Sequence, residues 1–313
     1  MIQLREYQKT DLEAYVRFSK NNFGVKSYQS NLQFLSWLEK NPSRSLKIAL
    51  DNNLIVGCSH GYEVPIFLNG KIVTFFVVHD IMTNKQNRNA GIKLIKDSVL
   101  RNQPVLLSGA SGRISEMYER IGATKVHSHW YSKTFFPKTF FKKKSILTSR
   151  NFELLDCPEV SFYNNKISLN KDSIKEVLKQ FKHHEEQESF LNWRFFEDNA
   201  PINYFLSTEG NMGSLIFSIG KSNFLPFIRI HSISTENKES TKHLIKCVEK
   251  FAKENGVFII LISLITPESL PVELNFKPYR EMPDVYWFSK DKTESFLPIF
   301  EGLHTDMGFN GYI

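Results

Sequence analysis

An Arg-x-x-Gly turn carries the clearest chemistry in this sequence. It runs from Arg88 to Gly91, after an apolar stretch that begins at Phe75 and before a segment with helical periodicity. The first N–H groups of a helix have no partner within the helix, and the helix dipole adds partial positive charge beside them. Turns of this kind bind anions, so the segment predicts a site for a diphosphate.

A second segment, from Val105 to Val126, predicts a strand, a loop, a short helix and a further strand. Its helix carries Tyr118 and ends at Gly122. Together the two segments resemble the acyl-CoA-dependent N-acetyltransferase (GNAT) family. In that family a pyrophosphate loop of the form Arg/Gln-x-x-Gly-x-Gly/Ala precedes a helix that bears a tyrosine shortly before Gly-Phe. Two positions depart from the pattern, because Lys93 replaces a small residue and Ala123 replaces the phenylalanine.

The resemblance implies acetyl-CoA or another acyl-CoA as co-substrate. Carried onto this chain, it assigns the binding of CoA to Ile81, Met82, Arg88, Asn89, Ala90, Gly91, Ile92, Lys93 and Ser111. Two roles are open for Lys93, whose side chain either hinders the close approach of the phosphates or adds a charge to them.

An acyl thioester is already activated, so an enzyme that uses it needs few groups. It must align an unprotonated amine, take a proton from that amine, and protonate or stabilise the leaving thiolate. Tyr118 is the candidate for the last role, since a phenol beside the sulfur can donate a hydrogen bond and then its proton. The alternative is that Tyr118 packs between helix and sheet, as aromatic residues often do.

Candidates for the base lie in the strand that leads to the turn. His79 and Asp80 are adjacent there, and strand alternation is expected to send them to opposite faces of the sheet. A neutral imidazole is suited to accepting an ammonium proton near neutral pH. Spacing alone does not choose between these two residues and the polar residues of neighbouring predicted strands, His60, Glu63, His127 and His129.

No pattern in the sequence favours a metal site. Cys58, Cys157 and Cys247 are far apart and lack the CxxC spacing of zinc sites. The run from His183 to Glu186 places consecutive side chains about 100° apart on a helix, which is typical of a solvated helix face. We therefore expect no metal cofactor.

The chain also contains an internal repeat. Phe34-Leu-Ser-Trp37 has a counterpart in Phe190-Leu-Asn-Trp193, and each is followed by a proline and a predicted strand. Leu94-Ile-Lys96 returns as Leu244-Ile-Lys246 within a second amphipathic helix. Two copies of one α/β unit are the simplest explanation of these matches.

The length of 313 residues suits two domains, each able to bury a core. The resemblance implies an α/β (α+β) fold of two tandem GNAT-like domains, each with a mixed, mostly antiparallel central sheet flanked by helices. We place the catalytic, acyl-CoA-binding domain at residues 1–140 and a degenerate copy at 150–313. The second copy has Lys238 and Thr241 at the positions of the arginine and the glycine of the turn.

The charge balance excludes some partners. The chain has 40 Lys and Arg against 33 Asp and Glu, a formal net charge of +7. Nucleic-acid binders concentrate positive charge on one face or helix, whereas this excess is spread out, so we expect no nucleic acid but a polyanionic small ligand such as a nucleotide. The N-terminus is charged where a signal peptide is apolar, and no window approaches ~18 apolar residues. We expect a cytoplasmic protein without a membrane span.

The predicted activity is transfer of an acyl group, most simply acetyl, from acyl-CoA to a primary amine. Leu191-Asn-Trp-Arg-Phe195 is similar to segments in a tandem GNAT branch found with surface-polysaccharide and amino-sugar genes. That resemblance implies a nucleotide-linked amino sugar as acceptor. A tRNA-dependent aminoacyl ligase of the peptidoglycan type and a non-catalytic binding pseudo-enzyme are the alternatives. The tail at His304-Thr-Asp306 either covers a cleft or is an ordinary surface segment, and the oligomeric state stays open.

Overall fold

The structure is a computed structural model of the chain. It describes residues 2–24, 28–68, 71–107, 113–126, 129–135, 161–164, 184–197, 200, 204–208, 213–222, 225–264, 272–279 and 285–289. Three predicted features lie outside these ranges, namely Ser111, His127 and the tail at His304-Thr-Asp306.

The N-terminal half contains seven strands and four helices among the described residues. The strands are β1 (Gln3–Glu6), β2 (Ser45–Asp51), β3 (Leu54–Leu68), β4 (Lys71–Thr83), β5 (Val105–Leu107), β6 (Thr124–Val126) and β7 (His129–Thr134). The helices are α1 (Leu12–Phe23), α2 (Leu32–Glu39), α3 (Arg88–Val99) and α4 (Arg113–Arg120). Short 3₁₀ turns at Lys9–Asp11 and Tyr28–Ser30 precede α1 and α2.

The C-terminal half follows a similar order. Its described strands are β8 (Ser161–Asn164), β9 (Tyr204–Thr208), β10 (Gly213–Ser222), β11 (Leu225–Thr235), β12 (Ile259–Leu264), β13 (Lys277–Pro278) and β14 (Val285–Phe288). Its described helices are α5 (His184–Leu191), which continues as a π-helix over Asn192–Phe196, and α6 (Lys238–Glu254).

These strands form two sheets of seven. The first sheet has the order β1-β2-β3-β4-β5-β14-β6, and the second has the order β13-β7-β12-β11-β10-β9-β8. Among the described strand pairs, β4 with β5 and β11 with β12 are parallel, and the others are antiparallel. This confirms the predicted fold class and the internal repeat, because each half presents the same mostly antiparallel arrangement around one parallel pair.

The two halves exchange their last strands. β14, from the end of the chain, lies between β5 and β6 of the first sheet, with Tyr286 opposite Leu107. In return, β7 lies between β12 and β13 of the second sheet, with Tyr131 opposite Ile262. Each sheet is therefore completed by a strand from the other half, which the linear division at residues 140–150 did not anticipate.

Equivalent tryptophans of the repeat meet where the halves join. The rings of Trp37 and Trp193 stack with centroids 4.5 Å apart and an interplanar angle of 11°. Each indole N–H donates a hydrogen bond of 3.0 Å to the backbone carbonyl of the other tryptophan. Residues of both sheets share the hydrophobic cluster around this pair, including Val77 and Ile216. The repeat is thus built as a pseudo-symmetric pair around one core.

Helices cover the first sheet on both faces. On one face, α1 packs on β3, and the side chains of Tyr15 and Phe18 enter the shared core. On the other face, α3 packs on β2, β3 and β4, and buries Leu94 and Ile95. The apolar residues of α3 recur at helical spacing, which explains why this segment forms a helix on the sheet.

Candidate functional site

The parallel strands β4 and β5 separate at the centre of the first sheet. Their pairing runs from Phe76 to Val78, opposite Val105 to Leu107. β4 then continues to Thr83, with no described strand paired on its β5 side. This part of β4 leads directly towards the N-terminus of α3, so a sheet edge and a helix terminus meet at one place.

The N-terminus of α3 is not capped by a side chain. Asn87 occupies the cap position, but its side-chain amide donates to Asp51 at 3.2 Å and accepts no hydrogen bond from the helix. No acidic residue stands in the first turn. The side chains of Arg88 and Asn89 are exposed. Backbone N–H groups, helix dipole and a guanidinium therefore lie together, an arrangement suited to phosphate.

Gly91 allows a close approach between α3 and β4. A Cβ atom at this position would lie 3.2 Å from the methyl carbon of Thr83, which is tighter than ordinary van der Waals contact. The glycine thus faces the strand, and its absence of a side chain brings the helix terminus close to the end of β4. A glycine is therefore favoured at position 91 because the helix packs closely on the strand.

Lys93 makes a contact that belongs to neither of the two roles left open from the sequence. Its ammonium group donates a hydrogen bond of 2.8 Å to the backbone carbonyl of Ile2, before the first strand. Through this hydrogen bond, Lys93 links the N-terminal segment to α3.

The other predicted CoA-binding residues divide into core and surface. Ala90 packs in a small cluster with Ala49 and Val56, and Met82 lies in the shared core. Ile81 is half-buried on the α3 side, and Ile92 is exposed. Ala90 and Met82 consequently offer a ligand their backbone and not their side chains.

Tyr118 lies on the buried face of α4, beside the point where β4 and β5 separate. It belongs to a cluster with Val78 and Leu107, the last paired residues of the two strands. Its ring meets that of Tyr286 edge-on, with centroids 5.4 Å apart. Tyr286 comes from the exchanged strand β14, so the C-terminal half supplies part of the wall around Tyr118. The hydroxyl of Tyr118 forms no hydrogen bond with another described residue.

Burial raises the pKa of Tyr118 to about 12. The phenol therefore keeps its proton at all physiological pH values and is a donor there. A thiol has a pKa of about 8.5, so complete proton transfer from Tyr118 to a thiolate would be uphill by roughly 4–5 kcal/mol. Hydrogen-bond donation is the chemistry that this environment favours.

A β-bulge in β4 changes which residue faces α1. His60 of β3 pairs with Asp80, whereas the next residue of β3, Gly61, pairs with Val78, so His79 is the additional residue. The sequence predicted His79 and Asp80 on opposite faces by simple alternation, and the bulge interrupts that alternation here. Asp80 lies on the α1 face, where its charge affects Tyr15 and Cys58. The backbone of His79 is described, and its side chain lies outside the described part.

Buried polar groups lie next to Asp80 on this face. The hydroxyl of Tyr15 and Nε2 of His60 are 2.6 Å apart, and both side chains are fully buried. Burial, followed by the neighbouring Cys58 and Asp80, raises the pKa of Tyr15 well above its usual value. Burial and then Asp80 likewise raise the pKa of the Cys58 thiol. Tyr15, which stands on the apolar face of α1, was not among the candidate site residues predicted from the sequence.

The remaining candidate bases lie elsewhere. Glu63 accepts a hydrogen bond of 3.1 Å from the side-chain amide of Gln103. His129 belongs to β7 in the second sheet. The structure therefore brings His60 and Asp80 together and does not bring Glu63 and His129 to the same group.

The comparison with known families bears on the N-terminal half. The model of the acetyltransferase (GNAT) domain family matches residues 3–122. This match includes β4, the Arg88 turn and Tyr118. Residues 3–122 are a GNAT acetyltransferase domain. This domain indicates an acyl-CoA-dependent N-acyltransferase, and the match covers 120 of the 313 residues.

Solved structures with the same fold span both halves of the chain. A probable N-acyltransferase from Enterococcus faecalis has a TM-score of 0.60 and 10% identity, covering 92% of this chain and 72% of its own. A GCN5-related N-acetyltransferase from Kribbella flavida has a TM-score of 0.61 and 10% identity, covering 92% and 71%. A tandem GNAT protein from the clavulanic acid biosynthesis pathway has a TM-score of 0.57 and 8% identity, covering 92% and 98%. At these identities the likeness is one of fold. No curated protein matches the chain.

The place in the C-terminal half that corresponds to the GNAT turn is closed by its own residues. The side chain of Asn237 caps α6 by accepting a hydrogen bond of 2.9 Å from the N–H of Ser240. Thr241, at the position of Gly91, lies with its hydroxyl 2.6 Å from that of Thr235. Glu239 adds a carboxylate to the first turn. These groups occupy the positions where an anion would bind to α3.

Two further observations concern metal binding and membrane-spanning helices. Within the described ranges, no group of three or more His, Cys, Asp and Glu side chains is arranged to hold a metal ion. No helix among the described residues is long and apolar enough to cross a membrane.

Proposed function

We propose that the GNAT domain transfers an acetyl group from acetyl-CoA to a primary amine at the point where β4 and β5 separate. The observation that carries this proposal is the meeting of the uncapped α3 terminus with the end of β4, which no described strand pairs on its β5 side. The first suits the diphosphate of CoA, and the second offers strand backbone to the rest of the ligand.

The reaction needs a donor on one side of the thioester and a base on the other. Tyr118 lies on the α3 face of the sheet and Asp80 on the α1 face. In the proposed step, the amine nitrogen forms a bond to the thioester carbonyl carbon and the bond from that carbon to sulfur breaks. Asp80 takes the proton that the amine loses, and Tyr118 donates a hydrogen bond to the departing thiolate, which is then protonated from water.

The amino group of a nucleotide-linked amino sugar is the acceptor that we propose for this site. The basic excess of the chain is compatible with a second polyanionic ligand beside CoA. The hydrogen bond from Lys93 to the carbonyl of Ile2 supports an enzyme over a pseudo-enzyme, because the pseudo-enzyme alternative relied on Lys93 obstructing the turn.

The proposal is tested by incubating the protein with acetyl-CoA and a panel of amines and measuring free thiol and acetylated product. The panel contains glucosamine, a nucleoside-diphosphate amino sugar, spermidine and a lysine-containing peptide. We expect turnover with at least one amine, fastest with the nucleotide-linked sugar. Thiol release that no amine accelerates would contradict amine acetylation, and faster turnover with the peptide would contradict the sugar.

A further inference from the structure

The contact between Tyr15 and His60 places two polar groups in the buried core on the α1 face of the first sheet. Both residues are fully buried in the shared hydrophobic core, where polar groups are costly unless they are paired. Their 2.6 Å contact satisfies the phenol and one imidazole nitrogen. A buried hydrogen bond of this kind contributes little net stability compared with apolar packing.

The repeat provides an internal comparison for this position. Gly57 pairs with Thr83 in the first sheet, and Gly213 pairs with Thr235 in the second. Three residues further along each strand stand His60 and Ile216, and a β-bulge follows each of them. Ile216 is as fully buried as His60. The same fold thus accommodates an isoleucine here, so the histidine of the first sheet calls for another explanation.

The residue opposite this position differs in the same way. His60 pairs with Asp80 in the first sheet, whereas Ile216 pairs with Ser232 in the second. Directly paired residues on one face have Cβ atoms about 4.5–5.5 Å apart. The imidazole is therefore a side-by-side neighbour of the Asp80 carboxylate. The polar pair occurs in the half that carries the uncapped helix terminus, and it is absent from the half whose terminus is closed.

We propose that Tyr15 and His60 are positioning residues that hold the Asp80 carboxylate ready to take the proton from the acceptor amine. This inference rests on the proposed acetyl transfer and assigns its base. Tyr15, with its raised pKa, remains protonated, and in the proposed arrangement its hydroxyl donates to Nε2 of His60, 2.6 Å away. An imidazole that accepts at Nε2 carries its proton on Nδ1, so one tautomer and one ring orientation are selected. The fixed ring then limits the orientations of its neighbour Asp80.

The test uses two single variants, Tyr15→Phe and His60→Ile, and the double variant. His60→Ile introduces the residue that the second sheet already carries at the matching position, and Tyr15→Phe removes one oxygen atom. With acetyl-CoA and the best amine of the panel, we expect each variant to lower kcat roughly 10-fold to 100-fold. The KM for acetyl-CoA should stay within about twofold, since neither residue lies at the α3 terminus. The double variant should be no slower than the worse single variant, because the two residues act as one unit.

A matched control lies in the second sheet. Ser218 and His231 form a buried hydroxyl–imidazole contact of 2.7 Å, of the same kind as that of Tyr15 and His60. Ser218→Ala should lower the melting temperature and leave kcat unchanged. Equal effects of Ser218→Ala and Tyr15→Phe on kcat would overturn the inference, because they would reveal loss of stability alone.

The outcomes separate the inference from the function on which it rests. A wild-type protein that acetylates no amine overturns both. A wild-type protein that acetylates an amine, with kcat unchanged in Tyr15→Phe, overturns the positioning role alone. Should His60→Ile fail to fold, Tyr15→Phe and its control decide the matter.

Discussion

Tyr118 shows how burial selects among the chemical roles of one residue. A phenol in water and a thiol differ little in acidity, and a proton can pass between them. On the buried face of α4, with the ring of Tyr286 against it and its pKa raised to about 12, Tyr118 is held in the protonated form. It can lower the energy of a thiolate through a hydrogen bond without giving up its proton.

Replacement of Tyr118 by phenylalanine tests this role. Loss of a donor aimed at developing charge typically lowers kcat roughly 10²–10³-fold. We expect that loss in Tyr118→Phe, with the Kd for acetyl-CoA within about twofold of wild type. Because the raised pKa keeps the donor form, kcat of the wild-type protein should show no inflection from this residue below about pH 11. Tyr131→Phe, which changes a buried tyrosine of the second sheet, is the control. If Tyr118→Phe keeps the wild-type kcat, Tyr118 has a packing role and no catalytic one.

At the scale of elements, the contact between α3 and β4 brings helix terminus and strand end together. Gly91 sits at this contact, and its missing Cβ leaves room for the methyl group of Thr83. A side chain here has to move the helix slightly away from the strand. The position thus controls how far the N–H groups of the helix lie from the end of β4.

Three substitutions at Gly91 separate size from charge. Gly91→Ala needs a shift of a few tenths of an ångström and should weaken acetyl-CoA binding about twofold. Gly91→Asn adds a larger neutral side chain, and Gly91→Asp adds a similar one with a negative charge near the proposed phosphate site. We expect Gly91→Asp to bind several-fold more weakly than Gly91→Asn, because like charges repel. Titration calorimetry measures the difference. Equal affinities of the Gly91→Asp and Gly91→Asn proteins would show that the phosphates do not bind at this turn.

The sequence was informative for this element where the signal is local. The Arg88 turn, the helix that follows and the helix of Tyr118 were all predicted from a few neighbouring residues. The bulge at His79 was missed because it consists of one extra residue relative to a partner strand, and a single strand does not reveal its pairing. The hydrogen bond from Lys93 to Ile2 and the contact of Tyr15 with His60 join residues far apart in the sequence. Contacts between residues so far apart leave no periodic pattern in the sequence.

At the scale of the whole molecule, the exchange of β7 and β14 makes the two halves one structure. The repeat was visible in the sequence, since Trp37 and Trp193 stand in similar segments. The exchange was not visible, because a sequence repeat does not state which sheet each strand joins. A partly buried ion pair reinforces the exchange, between Lys133 of β7 and Glu249 of α6, whose charged atoms are 2.5 Å apart.

The shared core predicts one cooperative unfolding event. Each sheet lacks a strand without the other half, so neither half has a complete core of its own. Differential scanning calorimetry should give a single transition whose calorimetric and van't Hoff enthalpies agree. Glu249→Ala removes the carboxylate partner of Lys133, whose ammonium group also donates to the carbonyl of Leu274, and should lower the temperature of that single transition by several degrees. Two resolved transitions would show that the halves unfold independently.

Binding of acetyl-CoA by the full chain tests the central claim most directly, because the claim locates the cofactor in one half. The closed terminus of α6, with its Asn237 cap, leaves α3 as the proposed site. Arg88→Ala and Lys238→Ala change the same position of the two copies and serve as a matched pair. Isothermal titration calorimetry should give one site per chain, weakened at least several-fold by Arg88→Ala and unchanged by Lys238→Ala. Two sites per chain, no binding, or equal effects of the two substitutions would contradict the account.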